Sequence, residues 1–206
     1  MPSTLQVLAV TSSALGDASA SNKLVNDTIA QLTARNPGLQ LATRDLGNGQ
    51  VPHLDLDVAI ALRGETPANA AQAAAQKLSD ELIAEVKAAD VLVIGAPMYN
   101  FGIPSTLKAW FDYVLRAGVT FRYTEAGPEG LMTGKRAIVV ATRGGLYSEG
   151  PAKAMDSQEP HLRTMLSFIG ITDITFVYAE KLAFGPEARE ASIDEAKGKL
   201  EELVAA

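Results

Sequence analysis

Five short runs that favour β-strands alternate with longer stretches of helical periodicity, and this alternation most constrains the fold. The runs lie at residues 5–10, 39–46, 91–94, 137–142 and 172–177. Between them, apolar side chains recur every three or four residues, as in the stripe formed by Leu24, Val25 and Ile29. Strands that alternate with helices predict an α/β fold, in which a parallel sheet carries helices on both faces.

The connections between these strands restrict the sheet further, because crossovers between parallel strands are almost always right-handed. For five strands we expect the flavodoxin-like order 2-1-3-4-5, with the second and least apolar strand at an edge. Ligands then bind at the carboxyl ends of strands 1, 3 and 4, next to the point where the strand order reverses. Residues 47–67 are rich in Gly, Pro and Asp and predict a surface connection, so residues 1–206 form a single domain.

Composition excludes several classes of protein. A formal net charge of −6 argues against nucleic-acid binding, which needs a basic face. The chain has no cysteine, which excludes disulfides and thiolate metal sites and fits a reducing compartment. No stretch approaches the roughly 20 apolar residues of a membrane span, and the N-terminus lacks the features of a signal peptide. We therefore expect a cytoplasmic protein that contacts no membrane.

The loop after the third strand, at residues 95–104, has the side chains of a ligand-binding loop. Met98, Tyr99, Asn100 and Phe101 supply a thioether, two aromatic rings and an amide, with almost no charge nearby. This set suits a flat, hydrogen-bonding, redox-active ring better than it suits a phosphate alone or a metal ion. The alternative is that Met98, Tyr99 and Phe101 pack in the core under the following helix.

The loop after the first strand, at residues 11–21, is rich in serine and leads into a helix. Free N–H groups and the dipole at a helix N-terminus bind anions, and serine hydroxyls add donors. A terminal phosphate therefore fits here. The alternative is that Ser19 or Ser21 only caps the helix.

The loop after the fourth strand, at residues 142–146, contains two adjacent glycines. Gly144 and Gly145 let the backbone approach a ligand closely, although a bare turn would need the same residues. Arg143 either assists in stabilising a bound group or forms an ion pair at the surface.

The sequence lacks the motifs of other nucleotide sites and of acid–base enzymes. It has no Gly-x-Gly-x-x-Gly after the first strand, no P-loop and no Gly-x-Ser-x-Gly. The two histidines, His53 and His161, are isolated and favour a surface or helix position, and no metal-ligand spacing is present. Ligand loops with few protic groups indicate that a cofactor carries the reaction.

Five segments make the chain resemble a known family closely over essentially its whole length. They lie at residues 96–101, 116–125, 127–131, 143–145 and 168–171, with the sequences APMYNF, RAGVTFRYTE, GPEGL, RGG and FIGI. These segments resemble the FMN-dependent NADH-azoreductases, which are also described as NAD(P)H:quinone oxidoreductases. The run from residue 116 to residue 131 is the most specific.

The resemblance implies a flavodoxin-like fold and a homodimer whose two active sites lie across the interface. It places the phosphate of FMN at Ser13, Ser19, Ala20 and Ser21. It places the ring and ribityl chain at Met98, Tyr99, Asn100, Phe101, Thr142, Arg143, Gly144 and Gly145. It assigns Phe121, Tyr123 and Phe168 to the substrate pocket, partly from the neighbouring subunit. Ala20 stands where a larger polar residue is often found, so only a backbone contact is expected there.

The activity implied is a two-electron, ping-pong reduction of quinones and aromatic azo compounds, with NADH or NADPH as the electron donor. Backbone N–H groups, Arg143 or the loop dipole would stabilise the reduced flavin. A flavodoxin-type electron carrier without its own substrate is the alternative, although such carriers are usually strongly acidic around the flavin. A regulatory module without FMN is a third possibility, and it would be colourless.

Overall fold

The alternation of strands and helices is present in a computed structural model, which describes residues 4–205. The strands are β1 (Gln6–Thr11), β2 (Gln40–Asp45), β3 (Val91–Pro97), β4 (Phe121–Thr124), β5 (Gly127–Gly130), β6 (Arg136–Thr142) and β7 (Asp173–Ala179). Five of them form a parallel sheet in the order β2-β1-β3-β6-β7. With the two strands outside this sheet left out, the order is the predicted 2-1-3-4-5, so the fold prediction is confirmed.

Helices cover both faces of the sheet. They are α1 (Ala20–Arg35), α2 (Leu56–Ala61), α3 (Ala70–Ala88), α4 (Ser105–Val114), α5 (Gln158–Phe168) and α6 (Pro186–Ala205). Alternate residues of β1 point to opposite faces, so Val7 packs with α1 and α6 while Leu8 packs with α3, α4 and α5. Within residues 4–205, no helix has both the length and the apolar character needed to cross a bilayer.

The burial of each strand follows its place in the sheet. β3 and β6, in the middle, are buried along almost their whole length. β2 is at the edge and mostly exposed, and 44% of the Leu41 surface is accessible. Central parallel strands are apolar on both sides because helices cover both faces, whereas an edge strand is less covered. The prediction that the second strand lies at an edge is confirmed.

An antiparallel hairpin of β4 and β5 occupies the segment that the sequence indicated only as an excursion, residues 119–134. Gly130 lies against the C-terminal end of α5, where a Cβ atom on Gly130 would be 2.1 Å from the Gly170 nitrogen. The Met132 amide donates to the Ile169 carbonyl over 2.7 Å. The hairpin is therefore fixed to α5 by a close backbone contact that only glycine permits.

The segment between β2 and α3 contains one short helix, as expected for residues 57–62. This helix, α2, begins after Asp55, whose carboxylate accepts from the Val58 amide over 2.8 Å. In the same way, Asn69 caps α3 by accepting from the Gln72 amide over 2.9 Å. These caps satisfy N–H groups that have no partner within the helix.

Candidate functional site

The three predicted loops meet around one cavity of about 140 Å³ at the carboxyl ends of β1, β3 and β6. Its walls are formed by Ser13, Leu15, Ala18, Ser19, Ala20, Pro97, Met98, Tyr99, Thr142, Arg143, Gly144, Leu182 and Arg189. We call this cavity the three-loop cavity. Eight of the twelve predicted cofactor residues line it, and Ser21, Asn100, Phe101 and Gly145 are their neighbours in the chain. Leu182 and Arg189, which follow β7, were not predicted.

Two larger cavities, of about 410 and 460 Å³, lie beside β7. Their charged side chains are partly paired with one another, as in Glu195 with Lys199 and Glu159 with Arg163. Neither cavity contains a residue from the loops after β1 or β3. We therefore place the candidate site at the smaller cavity, where the three loops converge.

The N-terminus of α1 offers unpaired donors to the three-loop cavity. Ser19 caps the helix, because its hydroxyl accepts from the Asn22 amide over 3.2 Å, and it lies 2.9 Å from the Ser21 hydroxyl. Both serines are buried. The amides of Ala20 and Ser21 donate to no group within residues 4–205. Ser19 thus has the capping role that was the alternative, while two free N–H groups at the positive end of the helix suit an anion.

Tyr99 joins the loop after β3 to the loop after β1. Its hydroxyl lies 3.2 Å from the Ser13 hydroxyl and accepts from the Ala14 amide over 3.2 Å. Ser12, which was not predicted, donates from its hydroxyl to the Gly95 carbonyl over 2.7 Å. Tyr99 is 36% exposed and Phe101 is 41% exposed, so neither packs in the core beneath α4.

A strained turn presents Asn100 and Phe101 beside the cavity. Tyr99 and Gly102 exchange backbone hydrogen bonds of 3.0 and 3.1 Å, which close a two-residue turn. Asn100 has φ of 48° and Phe101 has φ of 70°, and the left-handed region is unfavourable for a bulky residue such as Phe101. The amides of both residues donate to no group within the described part of the chain. Strain of this kind is typical of ligand-binding loops.

The variants Phe101→Gly and Phe101→Ala will differ in their free energy of unfolding. Both lack the aromatic ring, but only the alanine variant keeps a Cβ atom. We expect Phe101→Gly to be more stable than Phe101→Ala by about 1 kcal/mol, because the left-handed conformation penalises a Cβ atom. Urea unfolding of the two variants measures the difference. As a control, Ala74→Gly at an exposed position of α3 will destabilise the protein. Equal stability of the two Phe101 variants would contradict strain at this turn.

The Arg143 side chain is buried in a network of polar groups and only 1% of the residue is exposed. Its Nε donates to Gln158 Oε1 over 2.9 Å, Nη1 to Glu180 Oε1 over 3.1 Å and Nη2 to Asp156 Oδ2 over 2.8 Å. The guanidinium also lies 4.8 Å from the centre of the Tyr178 ring. Arg143 therefore forms ion pairs, as one of the two expectations held, but the guanidinium is buried and not at the surface. The expectation that it assists in stabilising a bound flavin stays a prediction, and its three bonds to protein groups leave it few free donors.

The network around Arg143 holds the loops of the site to one another. Gln158 Nε2 donates to the Ala96 carbonyl at the end of β3 over 2.8 Å. Glu180 Oε1 accepts from the amides of Tyr147 and Ser148 over 2.8 and 3.0 Å. Asp156, Gln158 and Glu180 were missed by the sequence analysis, because only the fold brings these distant positions next to Arg143.

Stability at low pH will depend on Glu180. Burial raises the pKa of its carboxyl group, but hydrogen bonds from the Ser148 hydroxyl, the Tyr147 amide and Arg143 together lower that pKa below its ordinary value of 4.5. A lowered pKa stabilises the fold above pH 4.5, and this contribution is lost as the pH falls further. We expect the difference in unfolding free energy between the wild type and Glu180→Gln to shrink below pH 4.5. Urea titrations across pH measure it, and a difference independent of pH would contradict the argument.

The loop after β6 is held by its carbonyl groups, which leaves the amides of its two glycines free. The carbonyls of Arg143, Gly144 and Gly145 accept from the amides of residues 182, 183 and 181, over 3.2, 3.0 and 2.9 Å. The amides of Gly144 and Gly145 donate to no group within residues 4–205. Two adjacent free N–H groups can bind an anionic or carbonyl edge of a ligand.

The three predicted substrate-pocket residues form an aromatic cluster on the hairpin and α5. The Phe121 ring lies 5.6 Å from the Tyr123 ring and 4.6 Å from the Phe168 ring. Phe121 is buried, whereas 73% of the Tyr123 surface is accessible. The structure brings these residues together, but none of them lines the three-loop cavity of the same chain.

Neither histidine contributes to the cavity. His53 is exposed, and His161 lies in α5, where burial and the nearby Lys108 lower its pKa. Both positions agree with the surface and helix positions expected from the sequence. The candidate site therefore contains no histidine as a general acid or base.

A parallel sheet with this strand order and a ligand cavity next to its switch point defines the class of flavodoxin-like domains. The sequence model of the flavodoxin-like fold family matches residues 6–204, so the chain belongs to that family.

Relatives and solved structures agree with this assignment. An FMN-dependent NADH:quinone oxidoreductase of Hyphomonas neptunium is 54% identical over 194 residues, which covers 94% of this chain and 93% of that protein. Another, of Ralstonia nicotianae, is 48% identical and covers 97% of both chains. The structure of an FMN-dependent NADH-azoreductase from Bacillus anthracis in complex with FMN aligns with a TM-score of 0.89, at 25% identity and 98% coverage of each chain. The family resemblance stated from the sequence is confirmed.

Proposed function

We propose that this protein is an FMN-dependent oxidoreductase that uses NADH to reduce quinones and aromatic azo compounds. The observation that carries the proposal is that three loops, each with unpaired backbone donors in or beside the cavity, meet around that one cavity. Relatives similar over nearly the whole chain are named FMN-dependent NADH:quinone oxidoreductases, which supports an enzyme rather than an electron carrier. Because NADH is the donor, we further propose that the protein acts in the cytoplasm.

The hydrogen-bond donors in and beside the cavity form two groups, one suited to the phosphate of FMN and one suited to its ring. The amides of Ala20 and Ser21, with the hydroxyls of Ser13 and Ser19, would hold the phosphate at the N-terminus of α1. The free amides of residues 100–101 and 144–145 would bind the polar edges of the flavin ring. When bound, FMN would supply the redox chemistry, which is hydride transfer between NADH and the substrate.

The residues of this chain would then position reactants and stabilise charge. The amides of Gly144 and Gly145 would stabilise negative charge on the reduced ring, a role that the buried Arg143 guanidinium leaves to them. Tyr99 and Phe101, both partly exposed at the rim, would pack against the ring. NADH and the substrate would occupy the same site in turn, which corresponds to ping-pong kinetics.

The size of the cavity supports a homodimer in which each active site lies at the interface. About 140 Å³ is small beside the roughly 300–1,000 Å³ of ordinary small-molecule pockets, so one chain encloses only part of a flavin nucleotide. None of the three residues of the aromatic cluster, Phe121, Tyr123 and Phe168, lines the cavity of its own chain. We propose that this cluster covers the flavin of the partner subunit, where it excludes water and orients the substrate.

The activity is tested with purified protein reconstituted with FMN. We expect a yellow protein that oxidises NADH when a quinone or an aromatic azo dye is added, with parallel double-reciprocal plots when both substrates are varied. The same assay with NADPH measures donor preference. Bound FMN without turnover would favour the electron carrier, and failure to bind FMN would overturn the cofactor assignment.

A further inference from the structure

Arg189 is a cation on the wall of the three-loop cavity to which the sequence analysis gave no role. It lies in the first turn of α6 and is partly buried. Its side chain forms no salt bridge or hydrogen bond with any group in residues 4–205. The other charged residue of the cavity wall, Arg143, is already neutralised by Asp156 and Glu180. Arg189 is therefore the charge available to a ligand.

The packing of α1 against α6 brings Arg189 to the level of the α1 N-terminus. The two helices run parallel on one face of the sheet, because each follows a parallel strand. Lys197 pairs with Asp27 at 4.0 Å, and Gln31 contacts Glu201 at 3.4 Å. Each pair is separated by 170 positions in the sequence. The same offset aligns Arg189 with the N-cap residue Ser19, and both residues line the cavity.

The acidic residues near this point leave Arg189 unpaired. Asp17 lines a separate polar cavity together with Thr11 and Asp45. Glu187 and Glu190, which flank Arg189 in α6, are exposed and do not line the three-loop cavity. Within the described chain, the residues that share the cavity with Arg189 near α1 carry no acidic side chain. The serine hydroxyls and the free Ala20 amide among them can donate to an anion.

We propose that Arg189 pairs with the phosphate of bound FMN, opposite the amides of Ala20 and Ser21. The inference rests on the proposed function and adds a binding residue to it. An arginine beside a helix N-terminus gives a phosphate dianion both charge neutralisation and charge-assisted hydrogen bonds. A chain of net charge −6 gains particularly from such a group, because its overall field repels the dianion.

The test compares FMN with riboflavin, which has the same ring but no phosphate. Dissociation constants for both flavins are measured by quenching of flavin fluorescence in the wild type, Arg189→Met, Arg189→Lys and Lys197→Met. We expect Arg189→Met to weaken FMN binding about tenfold and to leave riboflavin binding unchanged. Arg189→Lys restores part of the loss. Lys197→Met, two turns along the same helix and outside the cavity, leaves both constants unchanged.

Each other outcome has a distinct meaning. Equal weakening of FMN and riboflavin in Arg189→Met, or no weakening at all, overturns the inference while the proposed function stands. A higher KM for NADH with unchanged FMN affinity also overturns it, because the arginine then recognises the nucleotide donor. If the wild type binds neither flavin, the proposed function itself fails, and the inference fails with it.

Discussion

Replacing Arg143 with methionine is expected to lower the free energy of unfolding by about 3–5 kcal/mol. The substitution leaves the carboxylates of Asp156 and Glu180 buried without their counter-ion, since these side chains are only 8% and 9% exposed. It also removes the donor to Gln158, which in turn holds the Ala96 carbonyl. Because domains are stable by about 5–15 kcal/mol, this is a large share of the total.

Urea unfolding of the FMN-free protein measures this effect without contribution from cofactor binding. Lys199→Met is the control, because its ion pair with Glu195 is exposed and is worth at most about 0.5 kcal/mol. Arg143→Lys keeps the charge but lacks the three-way donor geometry, so its stability will lie between those of the wild type and the methionine variant. A loss in Arg143→Met no larger than that of the control would show that the buried network does not stabilise the fold.

Replacing Ala20 with proline is expected to weaken FMN binding at least about tenfold without unfolding the protein. Proline is tolerated at the first position of a helix, and Ser19 before it already has the extended conformation that proline requires, with φ of −71° and ψ of 129°. The substitution removes the Ala20 N–H, a donor that we assign to the phosphate, and puts the Cδ atom of the proline ring in its place. Fluorescence titration with FMN measures the loss, and urea unfolding checks the fold.

A matched control is available at the first position of α3. Ala70→Pro follows Asn69, which has φ of −150° and ψ of 173°, and it lies outside the three-loop cavity. We expect unchanged FMN affinity in Ala70→Pro and unchanged riboflavin affinity in Ala20→Pro. Unchanged FMN affinity in Ala20→Pro would show that the phosphate does not bind at the N-terminus of α1.

Much of the fold could be predicted from local pattern. The apolar runs that became β1, β3 and β6 are buried on both sides of the sheet, and the weaker run at residues 39–46 became the edge strand β2. Right-handed crossovers then left one natural strand order. The hairpin of β4 and β5 was not predicted, because its four-residue strands are short and fixed to α5 by the contact between Gly130 and Gly170.

The candidate site was predicted only where its residues belong to loops that parallel strands must place together. Ser19, Met98 and Gly144 line one cavity because β1, β3 and β6 all end at the same edge of the sheet. The positive φ of Phe101 gave no sequence signal, since that position in such a turn usually holds glycine.

The alternation of strand and helix patterns was enough to indicate the architecture and the loops that form the site, because backbone periodicity and connection handedness are local properties. The roles of Arg143 and Arg189 depended on the folded chain. Arg143 is surrounded by Asp156, Gln158 and Glu180. Arg189 lies at the cavity because of the register in which α6 packs against α1. Burial and pairing decide whether an arginine is a structural ion or a ligand-binding one, and both arise from contacts between residues far apart in sequence.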